Sequence, residues 1–185
     1  MDLPLLQSWL PTPEPGFLPG MARFSWADGL LRMEARFLGP APKSGATGHG
    51  QRLWELGDVA ELFVQKLGEE SYREYQLSPN GFTLALHYPD LSGVAAVRSG
   101  SRKMEDFLTG EIPSIESSTT PEGWNASLKI TLPASPGERI RVSCCRYHYA
   151  DRECGGAPVI SSTSPHPVRD FHRPGDWREF VPVAG

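Results

Sequence analysis

Short runs of alternating apolar and polar residues, separated by turn signals, constrain the fold of this chain more than any other feature. Residues 30–38 and 126–132 both alternate in this way, which is the pattern of a β-strand with one buried face. Turn signals such as Asp28-Gly29 and Pro79-Asn80-Gly81 interrupt the chain, and no segment carries a long helical period. The sequence therefore predicts an all-β fold. Short strands without crossover helices favour an antiparallel sandwich or barrel over a doubly wound sheet.

The turn signals divide a single predicted domain into a series of strands. Residues 1–20 hold five prolines and are predicted to form an irregular N-terminal arm, with a β-sandwich of the jelly-roll or immunoglobulin-like type over residues 21–185. Two long loops, 40–53 and 150–177, are the expected location of function, since long loops in compact domains commonly bind ligands. The predicted strands cover residues 22–26, 30–38, 59–66, 72–77, 82–88, 126–132, 140–149 and 178–183.

Composition excludes several classes of partner. At 185 residues the chain fits one domain, and its formal charge of −4 comes from interspersed acids and bases. Domains that bind nucleic acid usually carry a basic stripe, so no nucleic-acid partner is expected. No run approaches the ~20 apolar residues of a membrane span, so no membrane association is expected either.

Cysteine usage and the first residues predict the compartment. Cys144, Cys145 and Cys154 are odd in number and lack CxxC spacing, which favours buried free thiols in a reducing compartment over a disulfide framework. The opening residues show neither the basic region nor the sustained apolar region of a signal peptide. A cytoplasmic location is the resulting expectation.

An aromatic residue and two carboxylates stand close together at the start of an apolar run. A flat ring beside hydrogen-bonding groups suits a sugar, which has an apolar ring face and a rim of hydroxyls, so Trp54 is either a binding platform or a core residue. Asp58 and Glu61 have opposite parity on a strand and cannot flank one glycosidic bond without a bulge. A buried Glu61 would otherwise need a partner such as Arg146.

Other chemistries lack a compact motif. His148, Cys154, His166 and His172 are zinc-type ligands, but their spacing matches no known zinc motif, so the metal content stays open. The chain contains no Gly-x-Ser-x-Gly nucleophile elbow. The sequence therefore predicts a protein without a catalytic site.

Four segments, taken in order, resemble a known family. WELGDVAELF at 54–63 is followed by YREYQLSPNG at 72–81, then by GWNASLKITLP at 123–133, and finally by Ser164-Pro165 with DFHRPGDW at 170–177. Together they resemble family 9 carbohydrate-binding modules and the related DOMON-like domains, over about residues 20–183. The resemblance implies a β-sandwich that binds saccharide without catalysis, often with structural calcium.

The resemblance also implies which residues contact the ligand. Trp54 would be a stacking platform and Glu61 an acceptor for hydroxyl groups. Gln76 and Ser78 fall where members of the family place a pair of polar residues that contact sugar, and Arg146 falls near a recurrent arginine. The predicted ligand is a carbohydrate or another small polar molecule.

One departure from the family keeps two alternatives open. Sugar-binding members clamp the ring between two tryptophans, whereas residues 159–164 of this chain, where the second would lie, hold no aromatic residue. Tyr147, Tyr149 or His166 could replace it. A protein-interaction domain that has lost the sugar site is therefore the first alternative.

The second alternative is haem binding, as in some DOMON domains. It would need axial Met and His ligands such as Met33 or Met104 with His87 or His148, although no spacing in the sequence singles out a pair.

Overall fold

Two antiparallel β-sheets form a sandwich in the computed structural model, which describes residues 1–132, 135–149 and 157–183. The first sheet has the order β1-β2-β3-β8-β7, and the second has the order β10-β9-β4-β5-β6, with β11 also paired to β9. The strands are β1 (Asp2–Pro4), β2 (Gly20–Ala27), β3 (Leu30–Leu38), β4 (Val59–Lys66), β5 (Tyr72–Leu77), β6 (Thr83–Tyr88), β7 (Ser114–Thr120), β8 (Gly123–Thr131), β9 (Ile140–His148), β10 (Val159–Ser162) and β11 (Arg178–Phe180). The helices are α1 (Leu53–Leu56) and α2 (Leu91–Arg98), with 3₁₀ turns at Met104–Phe107 and Pro174–Asp176.

The main core lies between the two sheets. Alternate residues of β3 and β8 point inward, because successive side chains of a strand face opposite sides of the sheet. The second sheet supplies the opposing layer from β4, β5 and β9. The alternation of residues 30–38 and 126–132 therefore reports a half-buried sheet, and the predicted β-sandwich is confirmed. Large side chains in this layer include Phe24, Leu31, Met33, Phe37, Leu62, Tyr75, Leu77 and Val142.

The other face of the second sheet is also covered. Every residue of Val59–Gln65 is buried, so β4 shows no alternation between buried and exposed positions. A second apolar cluster lies on this outer face and joins Phe63 and Tyr72 to Phe107, Phe171 and Trp177 from the covering segments. Those segments are α2, the 3₁₀ turn at 104–107 and the chain around residues 163–177. This double burial creates the enclosed surface where the candidate site lies.

The structure contains elements that the sequence did not predict. Strand β7 is a polar edge strand, and β10 lies inside the predicted long loop 150–177. Helix α2 is too short for a clear helical period, although Asp90 caps it by accepting hydrogen bonds from the backbone N–H groups of Ser92 and Gly93. The predicted strand 178–183 is shorter, ending at Phe180.

The N-terminal arm, residues 1–20, contacts both sheets, although residues 7–19 contain neither helix nor strand. Strand β1 pairs with β2 in the first sheet, and Leu6 exchanges backbone hydrogen bonds with Ser162 of the second sheet. The Gln7 side chain donates a hydrogen bond of 2.8 Å to the Ile160 carbonyl oxygen. The arm thus joins the two sheets at one edge of the sandwich.

The cysteines of β9 are buried thiols, as predicted. Cys144 and Cys145 are free and fully enclosed, and burial raises the pKa of both thiols. Cys154, the third predicted thiol, lies outside the described residues. No helix in the described part of the chain is long and apolar enough to cross a bilayer.

Gly123 is the glycine on which the first sheet depends most directly. It begins β8 at φ +149°, and a Cβ atom built there would lie 1.9 Å from the Phe37 carbonyl oxygen. We expect Gly123→Ala to destabilise the protein by more than about 3 kcal/mol, because backbone strain adds to a clash with a rigid strand. Gly175→Ala is the matched control, since a Cβ there meets nothing within 4 Å. Urea denaturation of both variants measures the difference, and equal midpoints would contradict the prediction.

Candidate functional site

A cavity of about 240 Å³ lies on the outer face of the second sheet and is the candidate site. Strands β4, β5, β6, β9 and β10 contribute to it, and α2 and residues 169–172 close it from the outside. A larger open groove of about 490 Å³ crosses the outer face of the first sheet, but its described lining includes no aromatic ring. We call the first of these the second-sheet cavity.

Trp54 stands at the mouth of the second-sheet cavity. It belongs to α1, a single turn that precedes β4, and the buried side chain of Leu53 anchors that turn in the outer cluster. The Tyr149 hydroxyl donates a hydrogen bond to the Trp54 carbonyl oxygen and holds the backbone in place. The indole is half-buried and lines the cavity. The position is therefore compatible with a stacking surface.

A buried amide and two buried carboxyls form the floor of the cavity. Glu61 and Gln76 are paired across β4 and β5, and Glu74 is two residues before Gln76 on the same face of β5. The Gln76 Nε2 atom donates to Glu61 Oε1 at 2.9 Å and to Glu74 Oε1 at 2.6 Å. Gln76 Oε1 has no hydrogen-bond partner among the described residues, although it is fully buried. Glu61 and Gln76 were predicted from the sequence, whereas Glu74 was not, although its i, i+2 spacing from Gln76 could have indicated it.

Burial perturbs both carboxyls. It raises the pKa of Glu74 to about 7, although the Gln76 amide and the charge of Arg98 act in the opposite direction. Burial also raises the pKa of Glu61 well above its usual range, and the nearby charge of Glu74 raises it further. Two carboxylates in one dry site do not both ionise readily. Near neutral pH the pair therefore retains at least one proton.

An ion pair and a neutral histidine close the cavity beside Glu74. Arg98 of α2 makes two hydrogen bonds to the Asp170 carboxylate, at 2.7 and 3.1 Å. His172 Nδ1 lies 2.8 Å from the Tyr72 hydroxyl, whereas Nε2 is 3.8 Å from Glu74 Oε2, beyond hydrogen-bond reach. Burial, reinforced by the charge of Arg98, lowers the pKa of His172 to about 4. The ring is therefore neutral at physiological pH.

Aromatic residues other than the missing second tryptophan also line the cavity. Tyr147 of β9 is half-buried and packs edge-on against Phe171, with ring centroids 5.8 Å apart. The segment 159–164 contributes only the aliphatic Ile160 to the lining. Of the three predicted replacements, Tyr147 is the one at the cavity. Tyr149 contacts the Trp54 backbone, and His166 is buried outside the cavity lining.

Two predicted ligand contacts lie outside the second-sheet cavity. Ser78 is buried in the turn after β5, where its hydroxyl is 2.8 Å from Asn80 Oδ1 and accepts a hydrogen bond from the Phe82 N–H at 3.0 Å. Its ligand contact is therefore a prediction without geometric support. Its neighbours in the turn account for the burial of its hydroxyl.

Arg146 faces the opposite side of β9 from the cavity. Its Nη1 atom donates to the carbonyl oxygens of Leu38 and Leu18 at 3.1 and 3.4 Å, and its guanidinium lies 5.1 Å from the centre of the Phe37 ring. Burial lowers the pKa of Arg146 to about 10. The parity of β9 directs Tyr147, and not Arg146, to the side of the cavity. The ion pair between Glu61 and Arg146 that the sequence suggested is therefore not formed.

Asp58 is separated from Glu61 by the strand itself, as its parity predicts. Its carboxylate accepts hydrogen bonds from the backbone N–H groups of Lys43 at 2.6 Å and Tyr149 at 2.9 Å, and lies 3.0 Å from His148 Nδ1. Burial opposes ionisation of Asp58, but these hydrogen bonds together lower its pKa below the usual value. This arrangement ties the 40–53 loop to β9. It places the two carboxylates in different surroundings.

The described residues offer no cluster of three or more His, Cys, Asp or Glu side chains that could hold a metal ion. The calcium that the resemblance implies stays a prediction. For haem, Met104 lines the second-sheet cavity, but Met33 belongs to the inter-sheet core. Neither His87 nor His148 is part of the cavity lining.

Solved structures share this fold over most of its length. A protein from Bacteroides uniformis ATCC 8492, for which carbohydrate binding is itself a proposal, has a TM-score of 0.68 at 14% identity and covers 98% of this chain and 85% of its own. A family 9 carbohydrate-binding module from Caldicellulosiruptor kristjanssonii in complex with cellotriose has a TM-score of 0.65 at 15% identity, covering 93% of this chain and 78% of its own. The fold is that of family 9 carbohydrate-binding modules.

The complex of a Caldicellulosiruptor kristjanssonii family 9 module with glucose agrees, with a TM-score of 0.64 at 14% identity over 93% of this chain and 80% of that one. No protein-family model matches the chain, and no curated protein matches it significantly. At these identities the likeness establishes the fold alone. The predicted resemblance to family 9 modules is confirmed at that level, while its DOMON-like part has no support from these structures.

The buried carboxyls make stability depend on pH. An acid whose pKa is higher in the folded state binds its proton more tightly there, so stability falls as pH rises from about 4.5 through 7. We expect Glu74→Gln to reduce this loss and to raise stability at pH 8 by roughly 1–3 kcal/mol relative to the parent protein. Glu70→Gln is the control, because Glu70 is exposed. Denaturant titrations at pH 5 and pH 8 give both differences. A larger pH-dependent loss in Glu74→Gln would contradict the assignment.

Proposed function

We propose that the protein binds a saccharide in the second-sheet cavity without catalysing a reaction on it. One observation carries this proposal: a half-buried indole, Trp54, and the buried polar groups of Glu61, Glu74 and Gln76 line the same cavity. A pyranose needs this combination, because its ring face is apolar and its hydroxyls need hydrogen-bond partners. The carbohydrate complexes of structures with the same fold add support.

The size of the cavity suits a single sugar ring. Its volume of about 240 Å³ is below the ~300–1,000 Å³ typical of pockets for drug-sized ligands. The floor is closed by the β4–β5 pair, so a longer saccharide would have to extend outward past Trp54. The ligand is therefore a monosaccharide or the end of a chain, and not the middle of a polysaccharide.

The positions of the carboxyls argue against glycoside hydrolysis. A glycosidase holds its two carboxyls on either side of the bond that is cleaved. Glu61 and Glu74 instead lie on adjacent strands, and one amide nitrogen of Gln76 bridges them. Both carboxyls therefore approach a ligand from the same wall. We infer that they bind hydroxyl or amino groups instead of transferring protons to a leaving group.

Titration calorimetry with a panel of monosaccharides and short oligosaccharides, including glucose and cellotriose, tests the proposal. We expect saturable binding, and we expect Trp54→Ala to weaken it roughly tenfold to hundredfold, because stacking on an aromatic ring contributes ~1–3 kcal/mol. Trp54→Tyr should retain most of the affinity, since it keeps a ring. Met21→Ala, on the outer face of the first sheet, is the control for substitution away from the cavity.

Two results would overturn the proposal. No heat with any saccharide would favour a protein-interaction domain of the same fold. Unchanged affinity in Trp54→Ala would place binding elsewhere on the protein. If the parent protein released reducing sugar from an oligosaccharide and Glu61→Gln did not, only the statement that the protein is non-catalytic would be contradicted.

A further inference from the structure

We infer that the floor of the second-sheet cavity recognises an ammonium group, so that the preferred ligand is an amino sugar such as 2-amino-2-deoxyglucose. This inference rests on the proposed saccharide function and adds the chemical class of the sugar. It depends on the hydrogen-bonding groups of Glu61, Glu74 and Gln76, on the charges around them, and on the aromatic residues that line the same cavity.

Once its carboxyls are ionised, the floor has many hydrogen-bond acceptors and few donors. Glu61 and Glu74 are 2% and 3% exposed, and the amide nitrogen of Gln76 already donates to both. Gln76 Oε1, in a side chain that is 0% exposed, is an acceptor without a described partner. An ammonium supplies three donors and no acceptor, whereas each hydroxyl brings acceptor lone pairs of its own. The group that best completes this floor is therefore an ammonium.

No described cation of the surrounding elements donates a hydrogen bond to either floor carboxyl. Arg98 is committed to Asp170 by two hydrogen bonds, and Arg169 is exposed and donates to the Pro158 carbonyl oxygen at 2.6 Å. His172 is neutral and lies too far from Glu74 to donate to it. No described hydrogen bond joins a tyrosine hydroxyl to either carboxyl. The titratable and charged side chains of the cavity are Glu61 of β4, Glu74 of β5, Tyr88 of β6, Arg98 of α2, Tyr147 of β9, and Arg169, Asp170 and His172 of the covering segment, with Tyr72 of β5 behind His172.

The aromatic lining favours the same charge. Trp54, Tyr88 and Tyr147 all line the cavity, and the face of an aromatic ring attracts a cation. In a dry site, an ammonium bound to a carboxylate is held by a charge-assisted hydrogen bond, which is about twice as strong as a neutral one. Among saccharides, the class that the proposed function assigns, the molecule that carries both a ring that stacks and a cation that pairs is an amino sugar.

Calorimetry at pH 6 compares glucosamine, glucose and N-acetylglucosamine, since the free amine carries its proton at that pH. We expect glucosamine to bind about tenfold more tightly than glucose, and the acetylated sugar to lose this advantage with its charge. Binding of glucosamine should also release protons, because burial keeps Glu74 protonated at pH 6 and the ammonium favours its ionised form. The release appears as a difference in heat between two buffers of different ionisation enthalpy. Glucose should show no such difference.

Glu74→Gln supplies the matched variant. We expect the ratio of the glucosamine and glucose affinities to fall close to one, and the proton release to disappear. Glu70→Gln should keep both, since Glu70 is exposed outside the cavity. Thermal melts of both variants check that they are folded.

The outcomes separate this inference from the proposed function. Equal affinities for glucose and glucosamine in the parent protein overturn the ammonium site and leave saccharide binding intact. A preference for glucosamine that persists in Glu74→Gln also overturns it. No binding of any sugar overturns the proposed function and, with it, the amino sugar as ligand. If methylamine also fails to bind, the ammonium site is overturned as well.

Discussion

Burial of both faces of the second sheet is the constraint on which the rest of the structure depends. The first sheet covers one face, and α2, the 3₁₀ turns and residues 163–177 cover the other. A strand in such a sheet must be apolar at nearly every position, as the run from Val59 to Gln65 shows. Within that run Glu61 is an exception. A buried carboxyl there costs free energy unless its surroundings either neutralise it or supply partners.

The hydrogen bonds of the floor offset only part of the free-energy cost of burying these carboxyls. Gln76 donates one hydrogen bond to each carboxyl, and the remaining penalty appears as the raised pKa values of Glu61 and Glu74. An apolar pair of similar size would pack at this position without either penalty. Polar groups that a fold retains at a net cost are commonly found where a ligand binds. The burial of the two carboxyls thus explains both their free-energy cost to the fold and their proposed use in binding.

The predictions from sequence succeeded where one face of a strand decides the residue type. The alternation in Leu30–Leu38 predicted β3 with its observed bounds, and the sandwich followed from several such runs. The predictions failed for elements whose position depends on packing against the rest of the protein and not on a hydrophobic period in their own sequence. Helix α2 is short, and β7 and β10 are polar or brief, so their residues carry no period that distinguishes them from loop. The side of the second sheet that carries the cavity could not be recognised from the sequence either, because burial on both faces removes the alternation.

At the candidate site, the predictions depended on which face of its strand each residue occupies. Parity separated Asp58 from Glu61 in the sequence, and the same rule would have brought Glu74 beside Gln76. Directing Arg146 away from Glu61 also requires the register between β4 and β9, which sets Glu61 opposite Cys145. The ligand contacts implied by the family resemblance were assigned by position along the chain, without regard to the face of the strand on which each residue lies. Cavity residues on one face share parity within a strand, and the register that sets Glu61 opposite Cys145 makes Tyr147 the member of β9 that lines the cavity. Because Tyr147 packs against Phe171 and segment 159–164 adds no ring, Trp54 has no facing tryptophan among the described residues. Affinity in such a cavity must come more from the charge and hydrogen bonding of its floor than from a second stacking face.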